Sequence, residues 1–380
     1  MKIVLHEIKK VFRLKMIIIV MFMSLILYFL HTSYYIDHFP NGRPALDSYN
    51  ISLEMLENYG ESIDEEEFIH FKKVYEKEIE RANQYLQDNK LARETGISTY
   101  EEFRSMDLAV ESFREFSSYI MFEENVDSFW ELQAREDLIR DYEEKEIFIE
   151  GISKVSNKQQ RQRIDEVVNE GIINSIFPGL ILDNYRSYIR QVSLIILLSV
   201  IFMLSPIYLR DKTNNINYIQ YTSKIGRRLF KKKAVAAIIA SFIIITLQLI
   251  VFFLLYATNH TGMFLNSNII SIFSKTIFWY NLTFTQYIIL TVMGIYALGF
   301  IIALTVSFIS SLAPNYITMI AIQIPLVFFT SKVLIIHLIH SLADISLPKY
   351  SRGIAYLGLI MLSLILNIIR WKREKVVDIA

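Results

Sequence analysis

His337 and His340 are spaced so that one helix face could offer both to a metal ion. A metal site needs further donors, and none lies nearby, so the pair reads as interfacial. The run from Asp64 to Glu67 is wholly acidic and could attract a cation or a basic peptide. Acids at a helix start are also favoured by the helix dipole alone, which is the stronger reading. No G-x-x-x-x-G-K-S/T stretch occurs, and none of the 12 glycines opens a phosphate-binding loop. The chain is therefore not expected to hydrolyse nucleotide. H-E-x-x-H and G-x-S-x-G are absent, and without cysteine there is neither a thiolate site nor a disulfide. With no recognisable acid–base pair at a membrane face, an enzyme is not expected, and neither a bound metal nor a nucleic-acid partner.

A different set of polar residues lies within long apolar runs, where lipid makes each one costly: Gln248, Tyr296, Gln323, Thr330 and Asn367. They could line a translocation path, or they could hydrogen-bond neighbouring helices together. None is charged, which argues against a proton- or sodium-coupled carrier. Uncharged spans suit a transporter whose energy arrives from outside the membrane part.

The elements that carry these residues follow from composition. The 380 residues are 53% apolar, gathered into runs of the roughly 20 residues that cross a bilayer. An all-α polytopic membrane protein is expected. Residues 1–15 form an interfacial amphipathic helix, with Val4, Leu5, Ile8, Val11 and Phe12 on one face and Lys2, His6, Lys9 and Arg13 on the other. A first span at 16–36 follows, and no signal-peptide cleavage is expected after it, because His31 to Tyr35 offer no small-residue site. Five more spans are expected at about Tyr188–Leu209, Ala234–Tyr256, Gln286–Phe308, Ile317–His337 and Gly353–Ile369. The net charge of zero conceals a split: residues 37–187 hold 34 of the 39 acids and 17 of the 39 bases, a net of −17. Basic residues concentrate in 1–15, 210–233 and 370–380, so the positive-inside rule places both termini in the cytoplasm and 37–187 outside.

That acidic stretch reads as a helical extracytoplasmic domain. Capping boxes are expected at Ser62 to Glu65 and Thr99 to Glu102. Behind the first, Phe68, Phe71, Tyr75, Ile79, Ala82 and Leu86 recur at helical spacing, as do Phe103, Met106, Val110 and Phe113 behind the second. Trp130, Leu132, Leu138 and Ile139 mark a third helix. A fourth is expected from about Asn157 to Ile176, broken by Pro178-Gly179. Residues 257–285, with Ile269, Ile272, Phe273, Ile277, Phe278 and Trp279, read as a segment resting in the outer interface. Residues 338–352 read as an outer loop or a re-entrant piece.

Arg210 to Lys233 bears eight Lys/Arg against one Asp between the second and third spans. Within it, YTSKIGRRLFKKK reads as a short amphipathic helix under the bilayer, and the plainer reading is a positive-inside anchor. Here the chain resembles the membrane subunits of bacterial type 2 ABC exporters. Four features carry the resemblance: the interfacial N-terminal helix, the large outer insertion between the first two spans, six spans with both ends inside, and this loop. Thr222 and Ser223 match the family's hydroxyl pair, Arg227 or Arg228 its Arg, Lys233 the Lys that opens the third span, and Asp211 the acid after the second. Lys224 stands where a proline is often found, and Asn214 and Asn215 replace an expected Gly-Thr.

The resemblance implies a separate ABC ATPase, carrying ATP and Mg, that docks on a coupling helix around Tyr218 to Phe230. Tyr218, Tyr221, Thr222, Ser223, Lys224, Gly226, Arg227 and Arg228 would make that contact. It also implies two permease chains per transporter, alike or different, in a bacterial cytoplasmic membrane, moving a peptide, amphiphile or polymer outward. The alternative is a membrane-anchored receptor or scaffold whose acidic outer domain binds a peptide or a cell-envelope partner. Six spans are more than anchoring requires.

Overall fold

The computed structural model describes residues 2–216, 219–220 and 226–376. Helix dominates, and among the described residues no strand forms; Ser62 with Ser175, Asn268 with Thr283, and Ser271 with Thr276 make isolated bridges. The chain divides into a membrane unit (Met1–Asp37, Asn184–Asn259, Gln286–Ala380) and an acidic unit (His38–Asp183, His260–Thr285).

Among the described residues six helices are long and apolar enough to cross a membrane: Leu14–Thr32, Gly179–Thr213, Leu229–Asn259, Phe284–Leu312, Tyr316–His340 and Ser351–Val376. Such a set is that of a multi-pass membrane protein. The anticipated runs fall on these helices except that the first ends at Thr32 rather than 36, and most of the helices extend beyond them. The third span begins at Leu229 rather than Ala234, and the sixth continues through Arg370, Lys372, Arg373 and Lys375. Lys and Arg are good helix formers whose charge suits a helix C-terminus, so polarity ends the apolar run without ending the helix. The second span is the centre of the unit: 78% of its apolar window is buried, against 6% for the first and 17% for the sixth.

Pro206 interrupts the second span, because a proline removes one intrahelical donor and crowds the preceding turn. The Ser310 hydroxyl on the fourth span accepts from the backbone N–H groups of Tyr208 (3.1 Å) and Leu209 (3.3 Å) just beyond that break. In the fifth span Pro325 precedes two π-turns, Thr330–Leu334 and Ile336–His340, which carry the helix to His340. Residues anticipated as an outer loop from 338 are thus helical to that point.

The acidic unit is built on helices Ala45–Tyr59, Glu65–Asp88 and Asp127–Glu143, joined by shorter ones. Phe129 sits in the core, edge-on to Phe103 at 4.8 Å and flanked by Tyr85 and Tyr100. The first capping box lies two residues later than Ser62 to Glu65: Asp64 accepts from the Glu67 N–H and Glu67 accepts from the Asp64 N–H. Asp caps as well as Ser, and this register leaves Ser62 free to pair with Ser175. The Thr99 box with Glu102 forms as anticipated. Its helix stops at Ser105, however, and a new one begins at Glu111, with Asp107 accepting from the Ala109 N–H in between. A short polar side chain that bonds its own backbone competes with the helix there. The helix from Lys158 ends at Asn169 instead of Ile176, because Gly171 takes φ 68°, a left-handed conformation that glycine adopts without cost.

Residues 260–285 belong to the acidic unit, and the apolar residues singled out in them turn inward. Ile269, Ile272, Phe273, Ile277, Phe278 and Trp279 are all buried in protein. Backbone and side-chain bonds hold the segment within the acidic unit: Ile272 N–H to Ile173 O (2.8 Å), Ser175 Oγ to Asn268 O (2.9 Å) and Arg163 Nε to Phe278 O (3.0 Å). Burying such side chains contributes about 1.5–3 kcal/mol each.

Candidate functional site

Asp211, near the end of the second-span helix, is a carboxylate only 2% exposed. Its Oδ2 accepts from Lys233 Nζ (2.6 Å) at the start of the third span, from Gln220 Nε2 (2.8 Å) and from Lys10 Nζ (3.2 Å). Lys10 belongs to the N-terminal helix Lys2–Val11 and also meets Glu7 at 2.7 Å. Two carboxylates and two ammonium groups thus form a neutral quartet, buried except at Lys10, which is partly exposed. An ion out of water costs several kcal/mol unless partners surround it, and here each has one.

Further bonds tie the same helix ends together. The Tyr208 hydroxyl donates to Phe230 O (2.8 Å), and Lys233 Nζ sits 5.3 Å from the centre of the Tyr208 ring. Lys212 Nζ donates to Ala313 O (3.3 Å), while Arg370 donates to Ser311 O and Oγ, both at 3.2 Å. These cations satisfy carbonyls left open where the fourth span ends. A cavity of about 90 Å³ remains among Tyr208, Lys212, Phe230, Lys233, Ser310 and Arg370. Among the described residues no group of three or more acid, histidine or cysteine ligands could hold a metal. The chemistry available here is ion pairing, which fixes geometry.

The basic loop springs from this quartet, with Asp211 on one side and Lys233 on the other. Tyr218, Tyr221, Thr222, Ser223 and Lys224 lie outside the described residues. Gly226, Arg227 and Arg228 form one 3-10 turn leading into the third span, with Gly226 at φ 50° and Arg228 exposed. Of the coupling helix anticipated at Tyr218 to Phe230, the last two residues belong to the third span.

The polar residues of the spans are placed in separate helix–helix contacts. Gln248 donates to Ser199 (2.9 Å) and Ser24 (3.2 Å), joining the third span to the second and first. Tyr296 bonds Thr246 at 2.7 Å, and Gln323 exchanges bonds with Ser205 at 2.7 and 3.0 Å. Asn367 donates to Leu304 O (2.9 Å), linking the sixth span to the fourth. Thr330 is buried, and its hydroxyl has no hydrogen-bond partner. No two of the five share a bonding partner.

Sequence reasoning missed Glu7 and Lys10, because sorting the N-terminal helix by polarity assigns charged residues to its outer side. Glu7 is in fact buried, whereas Leu5 is 56% exposed. It also missed a second ionic cluster. Arg186 pairs with Asp344 (2.7 Å) and donates to His340 O (3.1 Å), and Arg352 donates to Asp344 O (2.7 Å). His340 faces the Arg186 carbonyl at 3.3 Å while His337 is exposed, so the two histidines are not brought together as ligands. Arg186 and Asp211 are separated by about 37 Å of helix at 1.5 Å per residue, longer than the roughly 30 Å hydrocarbon core. The two ionic clusters therefore lie toward opposite ends of the second span. Set against known proteins, the chain matches no family model, and neither a curated protein nor a solved structure is similar to it.

Proposed function

We propose that this chain is the membrane subunit of a bacterial exporter, driven by a separate ATP-binding-cassette ATPase that docks on the loop between the second and third spans. The observation that carries this reading is the Asp211–Lys233 ion pair at 2.6 Å, which closes the base of that loop while Lys10 ties in the N-terminal helix. A loop clamped in this way passes a push to two spans together instead of absorbing it, as coupling through rigid elements requires. The pairing of spans by neutral side chains supports a unit that moves by rearranging helices, with the energy supplied from outside. In this reading both termini and the loop face the cytoplasm, the acidic unit lies outside, and a second permease chain completes the transporter. Its cargo would be a peptide, amphiphile or polymer.

The test is co-purification in mild detergent after expression with the neighbouring genes. A stoichiometric ATPase whose turnover changes with this subunit is expected, and it should be lost on Gly226→Pro or on reversing the charge of Arg227 and Arg228. Retention of the ATPase after deletion of residues 218–230 would defeat the proposal. The receptor reading draws support from the acidic unit's own aromatic core, and it predicts that the loop can be scrambled freely.

A further inference from the structure

The apolar run of the third span starts after Lys231, Lys232 and Lys233, and that of the sixth ends ahead of Arg370, Trp371, Lys372, Arg373 and Lys375. One ring joins the two ends: Lys231 Nζ lies 3.7 Å from the centre of the Trp371 indole, and Lys375 Nζ lies 3.9 Å from it. Both lysines are exposed, as are Lys232, Lys372 and Arg373, while Trp371 is half-buried. A cation over an indole is attracted by the ring's quadrupole. The same arrangement holds two positive charges from different spans within the about 8 Å over which physiological salt screens them.

Among the described residues, Lys231, Lys232, Lys372 and Arg373 form no ion pair, and Glu374, which stands between them in sequence, pairs with Arg370 at 2.9 Å. An anion from outside the chain would relieve the repulsion, and the position of the ring selects its kind. On the third span Val235, Ile239 and Phe242 follow Lys231 at helical spacing and are exposed; on the sixth Ile368, Leu364 and Met361 precede Trp371 in the same way. In a multi-pass membrane protein such apolar stripes meet acyl chains. An anion at the ring therefore lies where a headgroup joins its chains, the level at which tryptophan is enriched.

We infer that the Lys231–Trp371–Lys375 cluster binds the headgroup of an acidic phospholipid, its phosphate against the two ammonium groups and its acyl chains along the stripes that lead from them. Charge-assisted bonds from the lysines hold the phosphate. Lys232, Lys372 and Arg373 add a field that favours a net negative headgroup over a zwitterionic one. The inference rests on the third and sixth helices crossing a membrane and not on the exporter reading, since binding needs no ATPase.

Trp371 can itself report the binding, because the other two tryptophans, Trp130 and Trp279, belong to the acidic unit. The experiment places the full chain in phosphatidylcholine nanodiscs. A rising share of that lipid is replaced by phosphatidylglycerol or phosphatidylcholine brominated high on the acyl chain, and tryptophan fluorescence is read. Brominated phosphatidylglycerol is expected to quench with roughly tenfold higher apparent affinity, as two lysines beside an anionic headgroup give. Lys231→Gln with Lys375→Gln should bring the two lipids level. Lys231→Arg with Lys375→Arg should keep the preference, and Lys154→Gln in the acidic unit should not alter it. Equal quenching by the two lipids in the parent overturns the inference, as does a preference that survives the double Gln change. So does sodium phosphate abolishing the preference where sodium chloride of equal ionic strength leaves it, which would mark a free-anion site. Trp371→Phe should remove the quenching, and quenching that persists without the ring overturns the inference too.

Discussion

Asp211 accepts bonds from three side chains, so its replacement affects all of them. Asp211→Asn keeps the shape but leaves Lys233, itself 3% exposed, as a buried cation without its counter-charge. Breaking a buried pair from one side typically costs about 3–5 kcal/mol. The variant should melt well below the parent in detergent, and Asp211→Asn with Lys233→Met should regain most of the loss. Thermal unfolding of the two variants and the parent checks this, and an additive double variant would mean that the two residues act separately. The sequence resemblance pointed to both residues, one after the second span and one opening the third. It could not reveal that they touch, because the 21 positions between them include a loop whose path no local rule dictates. Glu7 and Lys10 were hidden for another reason: polarity patterns show which side of a helix is apolar, and a buried ion pair breaks that pattern.

At the level of helices, length and apolar content made all six spans legible, while their ends and contacts were not. Helix ends depend on caps and breaks such as Pro206, Gly171 and the Asp107 turn, each decided by one residue. Packing between spans likewise turns on single small residues. A Cβ on Gly294 of the fourth span would come within 2.8 Å of Tyr356 Oη and 3.0 Å of Ile339 Cδ1. Tyr356 of the sixth span donates to Leu338 O at 2.7 Å, so three spans meet at this glycine. Gly294→Ala should force Tyr356 away from Leu338 and cost about 1–3 kcal/mol, as overpacking does. Tyr356→Phe should relieve part of that cost, giving a double variant less destabilised than the sum. Melting curves for the three variants would decide it.

For the whole molecule, the division into an acidic unit and a membrane unit follows the charge split that the sequence displays. What composition could not show is that residues 260–285 belong to the acidic unit, since their apolar side chains read equally well as lipid-facing. The absence of cysteine gives a clean test of sidedness. Val155→Cys, at an 87% exposed position of the acidic unit, should react with a membrane-impermeant thiol reagent on intact cells. Arg228→Cys should react only after permeabilisation, and the reverse pattern would invert the topology. The ionic clusters at Arg186 and Asp211 have a consequence of their own. Charged groups near the two ends of one span resist being drawn into hydrocarbon, so the protein is expected to favour a particular bilayer thickness. In membranes of shorter acyl chains the second span must tilt or the lipid must stretch around it, at a fraction of a kcal/mol for each ångström. Lipid chain length is thereby expected to bear on the ion pairs around Asp211.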